Sequence, residues 1–356
     1  MVYTVGCLTP YINPINFNSY TYIALVFPYL LLAMLACCIL SLFVIKKHAW
    51  IFFLLIFTGY KNIFSTTGFH FNKAFLQEKS PNTFRLLSWN VNDFVDNQVQ
   101  SDKPNAPRRK ILDFIKKSDA DVLCFQDYRD YPEGAGYYSS AKYIKDTLHY
   151  PYYYFSVDMF YSNSPSKEGY GTAIFSRFPI LDTGRTRYDW PDYPEHLSYA
   201  DIKFPTRIIR FYNTHLRSMQ LTADRRAEGK DYTFAQDDTA ILFNETKLET
   251  IAYFDSIHVR QAQLIKQQLN TSNRLFVFCA DLNSVPSSYV YQHISKGLND
   301  AFLQNGFGWG ATYDGLSPTL RIDVTLLHPQ LKATQYYCPK LKASDHFPLI
   351  SDIALP

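Results

Sequence analysis

Six short polar clusters in this sequence carry residue types that bind divalent cations and phosphate groups. They are Asn90, Gln126-Asp127, Asn213-Thr214-His215, Asp281-Leu282-Asn283, Asp323 and Ser344-Asp345-His346. Carboxylate and amide oxygens without a cysteine thiolate suit a hard cation such as Mg²⁺ better than Zn²⁺. Together with histidine, such groups can hold a metal, orient water and stabilise charge on a phosphate.

Each cluster taken alone also has a purely structural interpretation. Asn90 could be a turn residue, and Asp281 with Asn283 could form an Asx-turn before Pro286. His215 could be a hydrogen-bonded histidine of the core. The chemical interpretation therefore depends on whether the fold brings the six clusters to one place.

The apolar runs beside these clusters predict the elements that would position them. Seven runs of four to seven residues, mostly β-branched or aromatic, are typical of buried strands. They cover residues 84–89, 122–125, 171–175, 207–213, 276–279, 322–327 and 349–353. Helical periodicity is present over residues 108–117 and 253–269. Strands separated by helices and long loops indicate an α/β domain, in which ligands gather beyond strand ends.

The ordered set of motifs resembles the endonuclease/exonuclease/phosphatase superfamily over residues 83–354. The matching motifs are LLSWNVNDF (86–94), ADVLCFQDY (120–128), GYGTAIFSRFPI (169–180), FYNTHLRS (211–218), CADLNSVPSS (279–288), LRIDVTLL (320–327) and ASDHFPLISDI (343–353). The segment ATYDG (311–315) is similar to the one that precedes the family's Arg-Ile-Asp motif. The resemblance implies a four-layer α/β sandwich of two packed sheets flanked by helices. It also implies a hydrolase of phosphoester bonds that uses Mg²⁺ or Mn²⁺.

The resemblance further implies a catalytic role for five of the matching residues. Asp281 would orient or activate the attacking water, and Asn283 would contact phosphate oxygens. His215 would donate to the phosphate as negative charge builds. His346 would act in acid–base catalysis, oriented by Asp323.

The implied metal site consists of Asn90, Asp127 and Asp345. Where the family has Glu, this chain has Asp127, which is shorter by one CH₂ group. Direct coordination would then require a displaced metal or an intervening water. A catalytically impaired, membrane-anchored binding module is therefore the alternative to an enzyme. Two other departures, Ala280 for Gly and Val324 for an aromatic residue, concern packing.

Charge is distributed unevenly along the chain of 356 residues. Residues 1–79 carry a balance of +4 and residues 80–356 a balance of −1. A near-neutral domain argues against a strongly basic, sequence-independent binder of nucleic acids. Phospholipid head groups and inositol phosphates are the favoured substrate classes. A nuclease acting on DNA or RNA is the alternative.

Two apolar runs predict a membrane anchor over residues 1–66, with helices at about 20–45 and 49–65. The first helix would reach about 39 Å, enough for a hydrocarbon core of about 30 Å. Lys46 and Lys47 lie between the runs, and the positive-inside rule places them in the cytoplasm. A hairpin in the inner membrane then leaves the catalytic domain, residues 83–356, on the periplasmic side.

Two other interpretations of the N-terminal runs stay open. A single span would leave the domain in the cytoplasm, and a cleaved signal peptide would remove the first run. Residues 67–82 are polar and mixed, and they predict a linker into the domain. Residues 219–250 are rich in charge. They indicate either a solvated helix or insertion, or a lid that offers Arg225 or Arg226 to an anionic substrate.

Overall fold

Strands that are apolar on both faces need a covering layer on each side, and this requirement sets the architecture of the chain. The computed structural model describes residues 1–17, 21–71, 74–94, 107–131, 139–160, 168–188, 194–218, 245–315 and 317–356. Within them, two six-stranded sheets pack face to face and carry helices on their outer faces. The predicted α/β sandwich is confirmed.

The described strands are β1 (Gly68–Phe69), β2 (Thr83–Asn90), β3 (Val122–Asp130), β4 (Tyr152–Phe160), β5 (Gly169–Ser176), β6 (Ile180–Arg187), β7 (His196–Lys203), β8 (Ile208–His215), β9 (Leu275–Asp281), β10 (Asn299–Asp300), β11 (Phe307–Gly308), β12 (Asp323–Leu327), β13 (Ala333–Tyr337) and β14 (Leu349–Ala354). The described helices are α1 (Val2–Leu8), α2 (Tyr22–Leu25), α3 (Phe27–Val44), α4 (Ala49–Thr58), α5 (Tyr60–Thr66), α6 (Pro107–Ser118), α7 (Ser140–Asp146), α8 (Glu245–Thr271), α9 (Tyr289–Ser295) and α10 (Ala301–Asn305). Each predicted strand coincides with one of these strands, and the two predicted helices lie within α6 and α8.

Both large sheets are mixed. Sheet I has the order β10-β12-β9-β8-β7-β6, and sheet II has the order β13-β14-β2-β3-β5-β4. The pairs β8–β9 and β2–β3 are parallel, and the other pairs within both sheets are antiparallel. The two parallel pairs lie near the middle of their sheets. In each pair, the carboxyl ends of the two strands lie at the same edge of the sheet.

Alternation along the strands divides the core into three layers. In β2, Leu86 faces sheet I, whereas the next residue, Leu87, packs with Ile111 and Ile115 of α6. On the other side, apolar residues of β9 and β12 pack with α8 and α9. Every side chain of β2 from Phe84 onward is buried, including those of the polar residues Arg85, Ser88 and Asn90.

The N-terminal segment contains a single helix, α3, that is long and apolar enough to span a membrane, as far as the described residues go. The second predicted helix is bent by 58° between Lys46–Thr58 and Tyr60–Thr66. The bend lies at Gly59, where a side chain would collide with Tyr3 and Cys7 of α1. The Tyr3 hydroxyl donates to Ile56 O at 2.9 Å, next to the break. The hairpin stays a prediction, with its second arm broken.

Part of the predicted linker is integrated into the fold. Within residues 67–82, β1 pairs with β11, with Gly68 opposite Gly308 and Phe69 opposite Phe307. The His70 ring also contacts Leu303 O at 3.1 Å. The N-terminal segment is therefore packed against the sandwich. The division into anchor, linker and domain stays a prediction.

Candidate functional site

Strand register brings the predicted site residues of both sheets to one edge. Asn90 ends β2, His215 ends β8 and Asp281 ends β9. In sheet I, the register pairs Asp281 with His215 on one side and with Asp323, the first residue of β12, on the other. A polar group after a buried run is thus placed beside the polar groups of its neighbours.

The side chain of Asn90 joins the two sheets. Its Nδ2 donates to Asp281 Oδ2 at 2.9 Å and to Asp127 Oδ2 at 3.2 Å. Its Oδ1 accepts from the backbone N–H of Asn92 at 3.0 Å, which orients the amide. Two carboxylates from different sheets therefore converge on one amide group.

Asp127 reaches the site from a bulge in β3. The register shifts between Phe125 and Tyr128, and Asp127 has a φ of 47°. Its Oδ1 accepts from the Tyr170 hydroxyl and lies 2.8 Å from His215 Nδ1. Burial raises the pKa of this carboxyl, but the charge and hydrogen bond of His215, the hydrogen bond from Asn90 and the charge of His346 together outweigh burial and lower the pKa.

The Asn283 side-chain amide lies against the ring of His215. His215 Nε2 lies 3.0 Å from Asn283 Nδ2 and 3.5 Å from Asp281 Oδ2. Burial opposes protonation, yet the carboxylates of Asp127 and Asp281 raise the pKa of His215 to about 10. Asn283 has a φ of 45°, and its backbone N–H donates to Asp281 Oδ1 at 2.9 Å. The Asx-turn is therefore present, and it directs the Asn283 amide towards His215.

Asp323 holds the ring of His346. The Asp323 carboxylate oxygens lie 2.9 and 3.1 Å from His346 Nδ1. Nε2 of the same ring lies 3.6 Å from Asp281 Oδ2. Burial opposes protonation, but Asp323 and Asp281 raise the pKa of His346 well above its ordinary value. Asp323 thus keeps a proton on Nδ1 and leaves Nε2 facing Asp281.

Asp345 joins this network through Ser344. Its Oδ1 lies 3.2 Å from Ser344 Oγ, which donates to Asn90 O at 2.8 Å. All eight site residues expected from the sequence therefore belong to one continuous set of contacts. Their chemical roles stay predictions.

Asp281, Asp323 and His346 form a group that could hold a metal ion. One ligand atom from each lies within 4.8 Å of the others, and all three residues are buried. The carboxylate oxygens suit Mg²⁺ or Mn²⁺, whereas the imidazole nitrogen of His346 is a poor ligand for Mg²⁺. The convergence of Asp127 and Asp281 on the Asn90 amide brings further carboxylate oxygens to the same place. The residues present therefore fit a divalent cation.

A buried amide pair connects the two sheets beneath the site. Gln126 Nε2 donates to Asn213 Oδ1 at 2.7 Å. The Asn213 Nδ2 group donates to Phe125 O at 2.9 Å and to Ala173 O at 3.2 Å. Both residues stand in clusters that the sequence singled out, but they lie in the core. The geometry supports a structural role for both residues, as hydrogen-bonding groups between the two sheets.

Two residues that shape the site are missing from the sequence prediction. Tyr170 binds the Asp127 carboxylate, and Thr312 Oγ1 accepts from the backbone N–H groups of Ile322 at 3.0 Å and Asp323 at 3.1 Å. Both lie within stretches recognised as motifs, GYGTAIFSRFPI and ATYDG. Membership of a motif was the available signal, but neither residue type points to metal chemistry on its own.

The predicted lid lies almost wholly outside the described residues. Residues 219–244, which include Arg225 and Arg226, are not described, and only the helical part from Glu245 onward is. The two interpretations of this segment therefore both stand as predictions.

Comparison with protein-family models gives two matches. A model described as Endonuclease/Exonuclease/phosphatase family matches residues 87–346. A second model, described as Domain of unknown function (DUF8431), matches residues 1–66. No curated protein matches the chain.

Several solved structures share the fold. An endonuclease/exonuclease/phosphatase from Beutenbergia cavernae is 16% identical with a TM-score of 0.53, covering 77% of this chain and 72% of that one. The human Nocturnin catalytic domain with bound sulfate is 15% identical with a TM-score of 0.53, covering 78% and 97%. The mannosyl-6-phosphatase Bt3783 of Bacteroides thetaiotaomicron is 16% identical with a TM-score of 0.50, covering 76% and 100%. At these identities the similarity shows the fold.

Proposed function

The chain belongs to the endonuclease/exonuclease/phosphatase family, and on that premise we propose that it is a membrane-anchored, divalent-cation-dependent hydrolase of phosphoester bonds. The observation that carries the proposal is the convergence of Asp281 and Asp323, at strand ends of sheet I, with His346, which precedes β14 of sheet II. His215 and Asn283 lie against the same Asp281 carboxylate.

The cation would be held where two carboxylates already share one polar partner. Asp127 and Asp281 both bind the Asn90 amide, so the cation would be held by these two carboxylates beside Asn90. Asp345 would support this position through Ser344. A bound Mg²⁺ or Mn²⁺ supplies Lewis-acid polarisation of the phosphoryl group.

Proton transfer would fall to His346 and Asp281. Because Asp323 binds Nδ1, His346 can give or take a proton only at Nε2, which faces Asp281 at 3.6 Å. The Asp281 carboxylate would accept a hydrogen bond from the attacking water and orient it for in-line attack.

Charge on the phosphate would be stabilised by His215 and Asn283. With its pKa raised to about 10, His215 is a cation at neutral pH. Its Nε2 lies 3.0 Å from the Asn283 amide, so both side chains would reach the same phosphate. This pair is suited to the nonbridging oxygens of the reacting phosphate.

Membrane anchoring is proposed from the N-terminal helices. Large apolar side chains of α3 and α4 are exposed, including Phe43 at 74%, Val44 at 78% and Phe57 at 68%. Exposed apolar surface of this kind is expected to face lipid. The position of Lys46 and Lys47 between the helices favours an inner-membrane protein with its catalytic domain on the periplasmic side.

The substrate class proposed is a phosphoester on a phospholipid head group or an inositol phosphate. The membrane anchor and the charge balance of −1 over residues 80–356 support it. The mannosyl-6-phosphatase among the structural neighbours shows that this fold can be used on phosphate esters of small molecules. Nucleic acid is the second candidate, favoured by the breadth of the family name.

Hydrolysis of bis-p-nitrophenyl phosphate tests the reaction class. The full chain, purified in detergent, should hydrolyse this diester with Mg²⁺ or Mn²⁺ and stop in EDTA. His346→Ala should lower kcat by about 10²–10⁴-fold, the usual contribution of a general acid or base. His328→Ala is the matched control, because that ring packs on Phe276 away from the site. Equal activity of the His346→Ala variant and the control would refute the assignment.

A substrate panel then separates the two candidate classes. The full chain would be assayed on phospholipid vesicles, inositol phosphates, plasmid DNA and RNA. We expect the highest kcat/KM on a lipid or inositol phosphate. Preferential cleavage of either nucleic acid would overturn the proposed class and leave the hydrolase intact.

A further inference from the structure

The loop that follows Asp281 and Asn283 is held by the N-terminal segment. Thr9 Oγ1 donates to Ser287 O at 2.7 Å, and Ser287 Oγ donates to Ala24 O at 2.7 Å. Ser65 Oγ donates to Pro286 O at 3.2 Å. All of these hydroxyls are buried, so water does not compete for the bonds. We call this set of contacts, with those of Arg321 described below, the N-terminal seam.

Apolar contacts extend the seam to the residues before β12, the strand that begins at Asp323. Ala24 packs in one buried cluster with Val285, Leu320 and Ile322. The backbone N–H of Leu282 donates to Ile322 O at 2.9 Å, which ties the loop to the residue before Asp323. The cluster therefore touches the chain on both sides of the metal-binding group.

Arg321 connects the same strand to the end of α5. Its side chain is 1% exposed. One guanidinium nitrogen donates to Asp300 Oδ2 at 2.7 Å, and the other donates to Ser65 O at 2.8 Å. The last carbonyls of a helix have no partner within it, and an arginine is a favourable one. The guanidinium also packs 4.7 Å from the ring of Phe302.

The seam lies within two residues of the groups assigned to the reaction. Val285 follows Asn283 by two positions, and Arg321 precedes Asp323 by two. Displacing a reacting group by about 1 Å can cost about a hundredfold in rate. Contacts that fix these two backbone segments therefore bear directly on Asp281, Asn283 and the Asp323–His346 pair.

We propose that the N-terminal segment is part of the catalytic scaffold and that Arg321 is a positioning residue that links α5 to Asp323. The segment then does more than tether the domain. The activity readout of this proposal rests on the proposed hydrolase function, whereas its structural readout does not.

The first test removes the seam hydroxyls from the full chain in detergent. The double variant Thr9→Val with Ser287→Ala deletes two buried hydrogen bonds. Ser41→Ala is the matched control, because this buried α3 hydroxyl donates to Cys38 O within the anchor. Amide hydrogen exchange should rise at least about tenfold over residues 282–288 and 320–324 in the double variant alone, since opening of the seam exposes those amides. Unchanged exchange there would overturn the proposal.

The second test removes Arg321 together with its charge partner, so that no buried charge is left alone. The variant is Arg321→Met with Asp300→Asn. Its matched control is Arg85→Met with Asp352→Asn, another fully buried pair, at 2.6 Å, that lies in sheet II away from the seam. We expect kcat to fall about tenfold or more, with KM within about twofold, in the Arg321 variant only. An equal fall in both variants, or in neither, would reduce Arg321 to a purely structural residue.

The two readouts separate this proposal from the hydrolase proposal. A native chain without hydrolytic activity would count against the proposed function. Amide hydrogen exchange over residues 282–288 and 320–324 would then test, without any activity, whether the seam holds these segments. Raised exchange with unchanged kcat in an active enzyme would show that the seam does not position the site, and would overturn the proposal.

Discussion

Asp127 shows how a shorter carboxylate is accommodated in this site. The bulge in β3 and the positive φ bring its carboxylate to Tyr170 and His215, and its second oxygen binds the Asn90 amide. A carboxylate with these partners is well anchored but has less freedom to move towards a cation. The departure from the family's Glu therefore predicts a change in metal affinity, while the acid–base residues are unaffected.

The variant Asp127→Glu tests this interpretation. The added CH₂ group lets the carboxylate reach the convergence point of Asn90 and Asp281, so the Mg²⁺ concentration for half-maximal rate should fall about tenfold, an effect of the size known for groups that tune a metal site. The measurement is a Mg²⁺ titration of the hydrolysis rate, with the exposed Asp182→Glu as control. The interpretation would be contradicted if the control Asp182→Glu showed a weaker dependence of the rate on Mg²⁺. It would also be contradicted if Asp127→Glu raised the Mg²⁺ concentration for half-maximal rate. Activity present only in Asp127→Glu would favour the impaired binding module.

Residue types and order singled out eight residues that the structure brings together, but not the groups that orient them. A carboxylate or histidine at a strand end has recognisable chemistry, and register then brings it into place. Tyr170, Thr312 and Arg321 act through contacts with distant segments, which a single sequence does not reveal. Arg321 in particular bonds to a backbone carbonyl, and such a partner leaves no trace in residue type.

At the scale of elements, the strands that position the site were predictable because they are buried on both faces. The strands β4, β6, β7 and β13 are partly exposed and mix polar with apolar residues, so the search for apolar runs does not detect them. The bend at Gly59 could not be predicted from the sequence either, because it depends on the close approach of Tyr3, which belongs to another helix.

The amide pair beneath the site makes a prediction about sheet packing. Asn213→Ala would remove the side-chain donor to the carbonyls of Phe125 and Ala173, and would leave the Gln126 amide nitrogen with Ser88 Oγ, at 3.2 Å, in place of its two acceptors. We expect a loss of about 3 kcal/mol in the free energy of unfolding, because buried polar groups without partners cost about 1–3 kcal/mol each. Denaturant unfolding measures it, with the exposed Asn270→Ala as control. A loss below 1 kcal/mol would contradict the bridging role.

For the whole molecule, the N-terminal helices and the sandwich form one packed unit with the site close to their seam. Aromatic side chains from both parts, Phe64, Phe69, Phe71 and Phe307, are exposed at this junction. The rings of Phe71 and Phe307 pack across it with centroids 4.5 Å apart and planes tilted by 45°. Clustered apolar rings exposed in this way are expected to be covered by lipid or by another apolar surface.

Membrane orientation gives a prediction at this scale. A phosphatase reporter that folds only outside the cytoplasm, fused after Pro356, should be active if α3 and the α4–α5 arm form a hairpin. The same reporter inserted after His48 should be inactive, since the lysines of that turn face the cytoplasm. Inactivity of the reporter at both positions would support a single span with the domain in the cytoplasm.

The most direct test of the central claim is a Mg²⁺ titration of the metal-stripped full chain, with bis-p-nitrophenyl phosphate as substrate. Native protein should show no hydrolysis without cation and saturable recovery with it. Asp281→Asn keeps the shape of the side chain but removes the negative charge that lies beside His215 and His346 and that would bind the cation. The rate of this variant should therefore be at least about a hundredfold lower. Asp182→Asn should behave as the native protein. Hydrolysis that persists in EDTA, or that survives Asp281→Asn, would contradict the account.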